Sequence, residues 1–449
     1  MLSWHKLVLP PIQVSHTNDR RKLISDNLLI IFNILDQNSS MCDIWLGFGS
    51  PSTLSNWSCD ANNAPIQPVC SWAGITCDRS NCGTVMNITV IGQTFSGTLS
   101  PSFGLLTNLI VISLKTNHIG GTIPTEFNQL TSLSYLYLST NFLTGSIPDI
   151  FYNMRSLSQL YLDHNSLTRS VPPSIGSLSN LIVANFNGNS LQGTIPTVFS
   201  PLTGLSALDL GVNSFKGTIP MDLSQLTSLT YLNLGTNTLS GTISDIFYNM
   251  RSISLLFLDH NKFTGSVPPS IGTLSNLTVT SLNTNNLQGT IPTLFSPLTS
   301  LNSLDLGANN FKGIISTDLS QLTSLSFLNL GTNSLSGTIP DMFYNMRNLS
   351  QLFLDHNSLT GNVPPSICAL TSINRISMDN NQLSCYPTCL LNAPNPGNTL
   401  PVADPNALIP GGGGATYGSK TGNLTQLQVS KKALDPAGSN TCKGNFYSD

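Results

Sequence analysis

Between about residue 85 and residue 383 the hydrophobic positions return with one period. Leu133, Leu136, Leu138, Leu143 and Ile147 are followed 24 residues later by Leu157, Leu160, Leu162, Leu167 and Val171. Leu136 and Leu138 alternate with polar or aromatic neighbours, the period-two pattern of a strand with one buried face. An asparagine follows each strand at the same offset: Asn117, Asn141, Asn165, Asn189, Asn213, Asn237, Asn261, Asn285, Asn309, Asn333, Asn357 and Asn381. A fixed period of this length predicts a solenoid of stacked units. The asparagine amide can bond turn backbone and tolerates left-handed geometry, so it is expected to close the turn after the strand and to form a ladder inside the coil. Gly145 supplies permissive dihedrals where the chain bends. Pro148 suits a turn or an edge. The remainder of the unit, such as Asp149 to Met154, is expected to return along the outer face in turns or short 3₁₀ segments.

The frame L-x-x-N-x-L-x-G-x-I-P resembles the plant-type class of leucine-rich repeats, which covers polygalacturonase-inhibiting proteins and the ectodomains of receptor-like proteins. The resemblance spans about Val85 to Leu383, with a weaker first unit in which Gln93 takes the asparagine place. Arg169 replaces the turn glycine, and Ser244 and Ser316 replace the proline. The resemblance implies an α/β solenoid: a curved right-handed superhelix with a parallel β-sheet on the concave face, turns and short 3₁₀ segments outside, and cysteine-stapled caps.

A second period lies over the first. Ile150-Phe-Tyr-Asn-Met-Arg155 returns as Ile246 to Arg251 and as Met342 to Arg347, and Asp163-His164 returns as Asp259-His260 and Asp355-His356. So do Lys216 and Lys312. Duplication of a four-repeat block explains these shared residues without a function for each.

The nine cysteines avoid the regular repeats. Cys42, Cys59, Cys70, Cys77 and Cys82 precede them; Cys368, Cys385, Cys389 and Cys442 close or follow them. An open solenoid end exposes core and must be capped. Cysteine clusters at both ends therefore read as stapled caps in an oxidising compartment. Cys70-Ser-Trp72-Ala-Gly74-Ile-Thr-Cys77-Asp78 resembles the plant-type cap signature W-x-G-V-x-C-D, which implies a Cys70–Cys77 bond. Cys385 with Cys389 is the pairing expected at the other end, with a weak zinc alternative that has no histidine nearby. The chain divides into an N-terminal extension without order (1–18), a cap (19–84) opened by an amphipathic helix from Asp19 to Leu35, the solenoid (85–383), a second cap (384–392) and a Pro/Gly-rich flexible tail (393–449). Leu28 to Leu35 follows Arg20, Arg21 and Lys22 as a signal sequence would, but Asp26 and the short run argue against one. No run of about 18 apolar residues predicts a transmembrane helix. The segment after the repeats is too short for a kinase.

Only 9% of residues are charged and the net charge is −3. That balance gives no reason to expect nucleic acid as a partner. Sequons at Asn38, Asn56, Asn87, Asn276, Asn348 and Asn423 permit glycosylation.

Strand residues that point away from the core form columns on the concave sheet, and these are the candidate ligand-binding residues. Tyr137, Tyr161, Asp209, Phe257, Asp305 and Phe353 share one column; Asp163, Asp259 and Asp355 share the next; Tyr135, Tyr231 and Phe327 flank them. Rings supply apolar area and polar tips supply direction, which suits a protein or a polysaccharide. The Asp-His pairs are the only candidates for catalysis. At about 4.8 Å per strand they stand roughly 19 Å apart, and a Ser139–His164 dyad lacks oxyanion donors, so no enzyme, cofactor or metal is expected. The leading expectation is an extracellular recognition protein, inhibitor-like or receptor-like, that binds a protein or glycan on the concave face. Self-association into a structural surface or matrix protein is an alternative. Ice binding by the column Thr122, Ser146, Ser170, Thr194, Thr218, Thr242, Ser266, Thr290 and Thr338 is a lower one.

Overall fold

The computed structural model describes residues 38–48, 57–60, 62, 64–78, 84–94 and 96–391. The expected helix from Asp19 to Leu35, both flanking tails, Cys82, Cys442, Asn56 and Asn423 lie outside the described residues. The repeats stack into a 14-stranded sheet that forms the concave face. Its first pair, Ile75–Cys77 with Val85–Thr89, is antiparallel, and every later pair is parallel. Among its parallel pairs register never slips: Leu136 faces Leu160, which faces Ala184, which faces Leu208. Constant period thus becomes constant register, and like positions form continuous columns.

Inside the coil the leucine positions are fully buried, as are Phe127, Phe151, Phe199, Phe247, Phe295 and Phe343 on the return path. These rings sit in 3₁₀ turns of three to five residues, such as Thr125–Gln129 and Phe151–Asn153. Many turns are entered through an extended proline, as at Pro124 with φ −64° and ψ 142°. Proline fixes that dihedral and donates no hydrogen bond, which a turn entry does not need.

The return path also holds more order than turns alone. Residues just after each ladder asparagine form a second parallel sheet of 11 strands, from Thr144–Ser146 to Gln382–Cys385, with a separate pair, Ser96–Thr98 and His118–Gly120, at the N-terminal side. The segment L-x-G-x carries only one buried side chain per strand, so its sequence shows no long alternation to announce a strand.

The asparagine ladder forms. Asn141 donates its amide to the carbonyls of Leu114 and Leu138 and accepts from the Ile119 amide. The left-handed residue, however, is the one before the asparagine. Thr140, His164, Val212, Thr236, His260, Thr284, Ala308, Thr332 and His356 all have φ between 47° and 60°. Threonine and valine rarely adopt that region; here the asparagine bonds on either side of the kink hold it. Gly145 (φ 76°) serves the second bend, and a Cβ there would lie 2.9 Å from Thr122 Cγ2. The same contact at the same distance recurs between Gly241 and Thr218 and between Gly361 and Thr338.

Both ends are closed. Residues 38–47 are helical, and Cys42 is bonded to Cys59 and Cys70 to Cys77. Trp57 and Trp72 pack at 5.0 Å between ring centroids, and Trp57 Nε1 donates to the Ala73 carbonyl. At the other end the expected Cys385–Cys389 pairing is corrected. Cys389 is bonded to Cys368, with their Cα atoms 5.8 Å apart, and Cys385 is itself held in a disulfide. The reason is directional. Gln382–Cys385 continues the second sheet, whereas the short helix Thr388–Leu391 turns back over the core and meets the 3₁₀ turn that carries Cys368. With both sulfurs in disulfides, the pair offers no thiolates to zinc.

Candidate ligand-binding face

The two outward columns of the concave sheet are not equally available. Tyr161, Asp163, Asp209, Tyr231 and Phe257 are each 5% exposed or less. Neighbouring rungs bring outward side chains into contact with each other, so rings lie on rings: Tyr137 on Tyr161 at 5.2 Å, Tyr231 on Phe257 at 5.8 Å and Phe327 on Phe353 at 5.7 Å between centroids. Those five residues therefore serve the sheet more than a ligand. Tyr135, Tyr137, Asp259, Asp305, Phe327, Phe353 and Asp355 remain half-buried and open to one.

A hydrogen-bond net joins the buried members. Asp209 accepts from Asn187 Nδ2, the Gly211 amide and the Tyr231 hydroxyl, at 2.9 to 3.0 Å. Burial pushes the Asp209 and Asp305 carboxyls up, pushes the Tyr161 phenol up to about 12 and moves Tyr231 further in the same direction. Phenols so shifted act only as neutral donors near neutral pH.

Sequence alternation places Asp163 and His164 on opposite sides of a strand. The structure corrects this: the left-handed kink at His164 turns both to one side, with Nδ1 3.0 Å from Asp163 Oδ2. The pairs at Asp259-His260 and Asp355-His356 repeat the contact at 2.9 Å. These bonds hold the His164 and His260 imidazoles above the usual histidine range. Ser139 Oγ donates to the other oxygen of Asp163. The carboxylate therefore stands between hydroxyl and imidazole, and the order a nucleophile and its base require is not made.

Between the second and third Asp-His pairs the sheet carries a depression of about 290 Å³. Gly307 and Gly331 line it, with Asn329 and Asp355 side chains in the space a Cβ at these glycines would need, and its walls include His260, Asn283, Thr284 and Phe353. The Arg375 guanidinium lies 4.8 Å from the centre of the Phe353 ring. Of this lining, Phe353 and Asp355 are among the candidate ligand-binding residues of the sequence; Asn283, Gly307 and Gly331 share the outward column of Asp355 but are not, and Thr284 lies outside it.

The sequence matches the Leucine rich repeat family at residues 107–167, and Leucine Rich Repeat units at 228–250, 252–274, 324–346 and 348–370. Among solved structures it is similar to PEPR1–AtPEP1, with 32% identity over 74% of this chain and 50% of that one and a TM-score of 0.65. The chain is a plant-type leucine-rich repeat protein. The plant peptide hormone receptor RGFR1 in complex with RGF2 is similarly related: 33% identity, 64% of this chain, 46% of that one, TM-score 0.63. So is the Arabidopsis receptor kinase HAESA ectodomain in complex with an extended IDA peptide hormone: 27%, 78%, 66% and 0.61. This leucine-rich repeat protein spans about half the length of the first two. No helix among its described residues is long and apolar enough to cross a membrane. Of the sequons, Asn276 and Asn348 are exposed on the outer face, where their amides donate to Arg251 and Thr323 carbonyls, while Asn38 and Asn87 are half-buried in the first cap and first strand.

Proposed function

We propose that this leucine-rich repeat protein is an extracellular receptor-like recognition module that binds an extended peptide along its concave sheet. The observation that carries the reading is the glycine-lined depression between His260 and Asp355. Its lining crosses five successive rungs, from His260 to Asp355, the course an extended chain would follow. Asp355 lines it, and Asp259, Asp305 and Asp379 stand on rungs of the same face, against Lys115 and Arg375. A ligand with cationic side chains and free hydrogen-bond donors matches that balance. The receptors it resembles are solved with peptide hormones, which supports the same mode here. Tyr135 and Tyr137, stacked at 6.1 Å and half-buried, favour a second reading in which a glycan rests on the N-terminal rungs. Glycans on Asn276 and Asn348 would leave the concave face clear.

The test is a fluorescence-anisotropy screen of labelled extended peptides, cationic, neutral and acidic, together with neutral oligosaccharides. Cationic peptides are expected to bind the wild type and to lose about tenfold in affinity with His260→Ala/Asp355→Ala, the scale of one lost charge-assisted bond. Binding that ignores this double variant would end the reading; selective loss with Tyr135→Ala/Tyr137→Ala would favour the glycan.

A further inference from the structure

The second sheet carries charge of one sign. Its strands hold Arg169, Lys216, Lys262 and Lys312 and contain no Asp or Glu. All four cations are exposed. No ion pair among the described residues joins any of the four to a carboxylate. They also fall on alternate strands, Ser166–Arg169, Ser214–Gly217, Lys262–Gly265 and Asn310–Gly313, with one neutral strand between each. At about 4.8 Å per strand, successive charges are roughly 10 Å apart along the sheet.

Arg169 shows that this arrangement is not mere solvation. It has φ 66° at a place where Gly145, Gly193, Gly217 and Gly241 stand in neighbouring repeats. A left-handed residue with a side chain costs about 1–2 kcal/mol over glycine, and strain of this kind concentrates at functional positions. The Arg169 side chain lines a groove of about 420 Å³ together with Ser170, Gln192, Ser214 and Lys216. The duplicated block supplies an internal comparison. It repeats Ser266, Gln288 and Lys312 but has Gly265 where the first copy has Arg169. The first copy thus has a second cation beside Lys216, and the second copy has no counterpart of it beside Lys312.

We propose that the second sheet binds a linear anionic polysaccharide, with its acidic groups met in turn by Arg169, Lys216, Lys262 and Lys312 and held most tightly in the Arg169–Lys216 groove. Guanidinium presents paired donors to a carboxylate or a sulfate. The hydroxyls and amides of Ser170, Gln192 and Ser214 suit sugar hydroxyls, and the groove is lined only by polar, charged and glycine residues. This surface is separate from the concave face, so the chain can hold a matrix polymer and a soluble ligand together.

The test is binding of labelled polyuronate and dextran sulfate oligomers, with neutral dextran and poly-glutamate as comparators, to the full chain at low and high salt. Either acidic glycan is expected to bind, and the stronger of the two names the acidic group. Neutral dextran is expected not to bind, and affinity is expected to fall with salt. Arg169→Gly is expected to weaken binding about tenfold, one charge-assisted contact, while raising Tm because strain is released. That combination separates a binding role from a folding defect. Lys312→Ala is expected to weaken binding less than Lys216→Ala, and His260→Ala/Asp355→Ala to leave it unchanged. Equal binding of poly-glutamate, equal binding of neutral dextran, or an affinity indifferent to Arg169→Gly and Lys216→Ala would each overturn the proposal.

Discussion

His164 Nδ1 rests 3.0 Å from Asp163 Oδ2, although adjacent residues of a strand normally face opposite ways. The contact exists because His164 is left-handed, at φ 52°. It makes a pH-dependent link in the concave face. The hydrogen bond raises the His164 pKa above its ordinary value, and the Asp259 bond raises that of His260. The protonated forms are thus favoured by folding. Their contribution is complete below about pH 6.5, the unfolded value, and is lost as pH rises through the folded values. Imidazole resonances of both residues are expected to titrate above 6.5, and Asp163→Asn to bring His164 back down. A His164 midpoint at or below 6.5 in the wild type would remove the link.

Asn237 tests the ladder. It is 8% exposed and joins the Leu210 and Leu234 carbonyls to the Phe215 amide. Asn237→Ala leaves three backbone groups without that partner in the coil, each at about 1–3 kcal/mol when buried. A loss of roughly 3 kcal/mol or more is expected from the denaturant midpoint. A loss within about 0.5 kcal/mol, the range of an ordinary surface change, would mean that the amide is replaceable by water.

The period carried most of the fold in its letters. Leu136, Asn141 and Ile147 have one role each, repeated at one spacing, so their places in core and ladder could be read directly. Positions whose role depends on a neighbouring rung could not. Tyr161 and Asp209 look outward in sequence, yet they are covered by Tyr137 and Tyr231 from adjacent units. The kink at His164 depends on bonds made by Asn165 and Asn189 across the stack. The pairing of Cys389 with Cys368 depends on a change of chain direction after the last strand. The second sheet was hidden because its strands bury only one side chain each.

Gly145 and Thr122 decide what the hydroxyl column is for. The threonine methyl fills the space a Cβ at Gly145 would need, so the column packs the second bend. Gly145→Ala is expected to lower stability by about 1–2 kcal/mol from backbone strain alone, and further through the contact. Thr122→Ser removes the methyl, and the double variant is expected to recover about 0.5–1 kcal/mol relative to additive losses. Additive losses would free the column for another role. With packing as its role, the wild type is expected to show no thermal hysteresis in ice-growth measurements.

The C-terminal staple gives the last prediction. The Cys368–Cys389 bond closes 21 residues, a loop for which cross-linking contributes about 3 kcal/mol by limiting the unfolded chain. It also holds the helix Thr388–Leu391, whose Leu390 is 8% exposed, over the end of the core. A solenoid transmits the loss of an end only to its neighbour, since each repeat contacts the adjacent ones. Cys368→Ser is therefore expected to raise amide exchange first in residues 382–391 and next in the repeat before them, while the central repeats keep their protection. Peptide mapping of the oxidised wild type is expected to return the Cys368–Cys389 link. Recovery of a Cys385–Cys389 peptide instead, or an exchange profile unchanged by Cys368→Ser, would show that the cap is closed by packing and not by this bond.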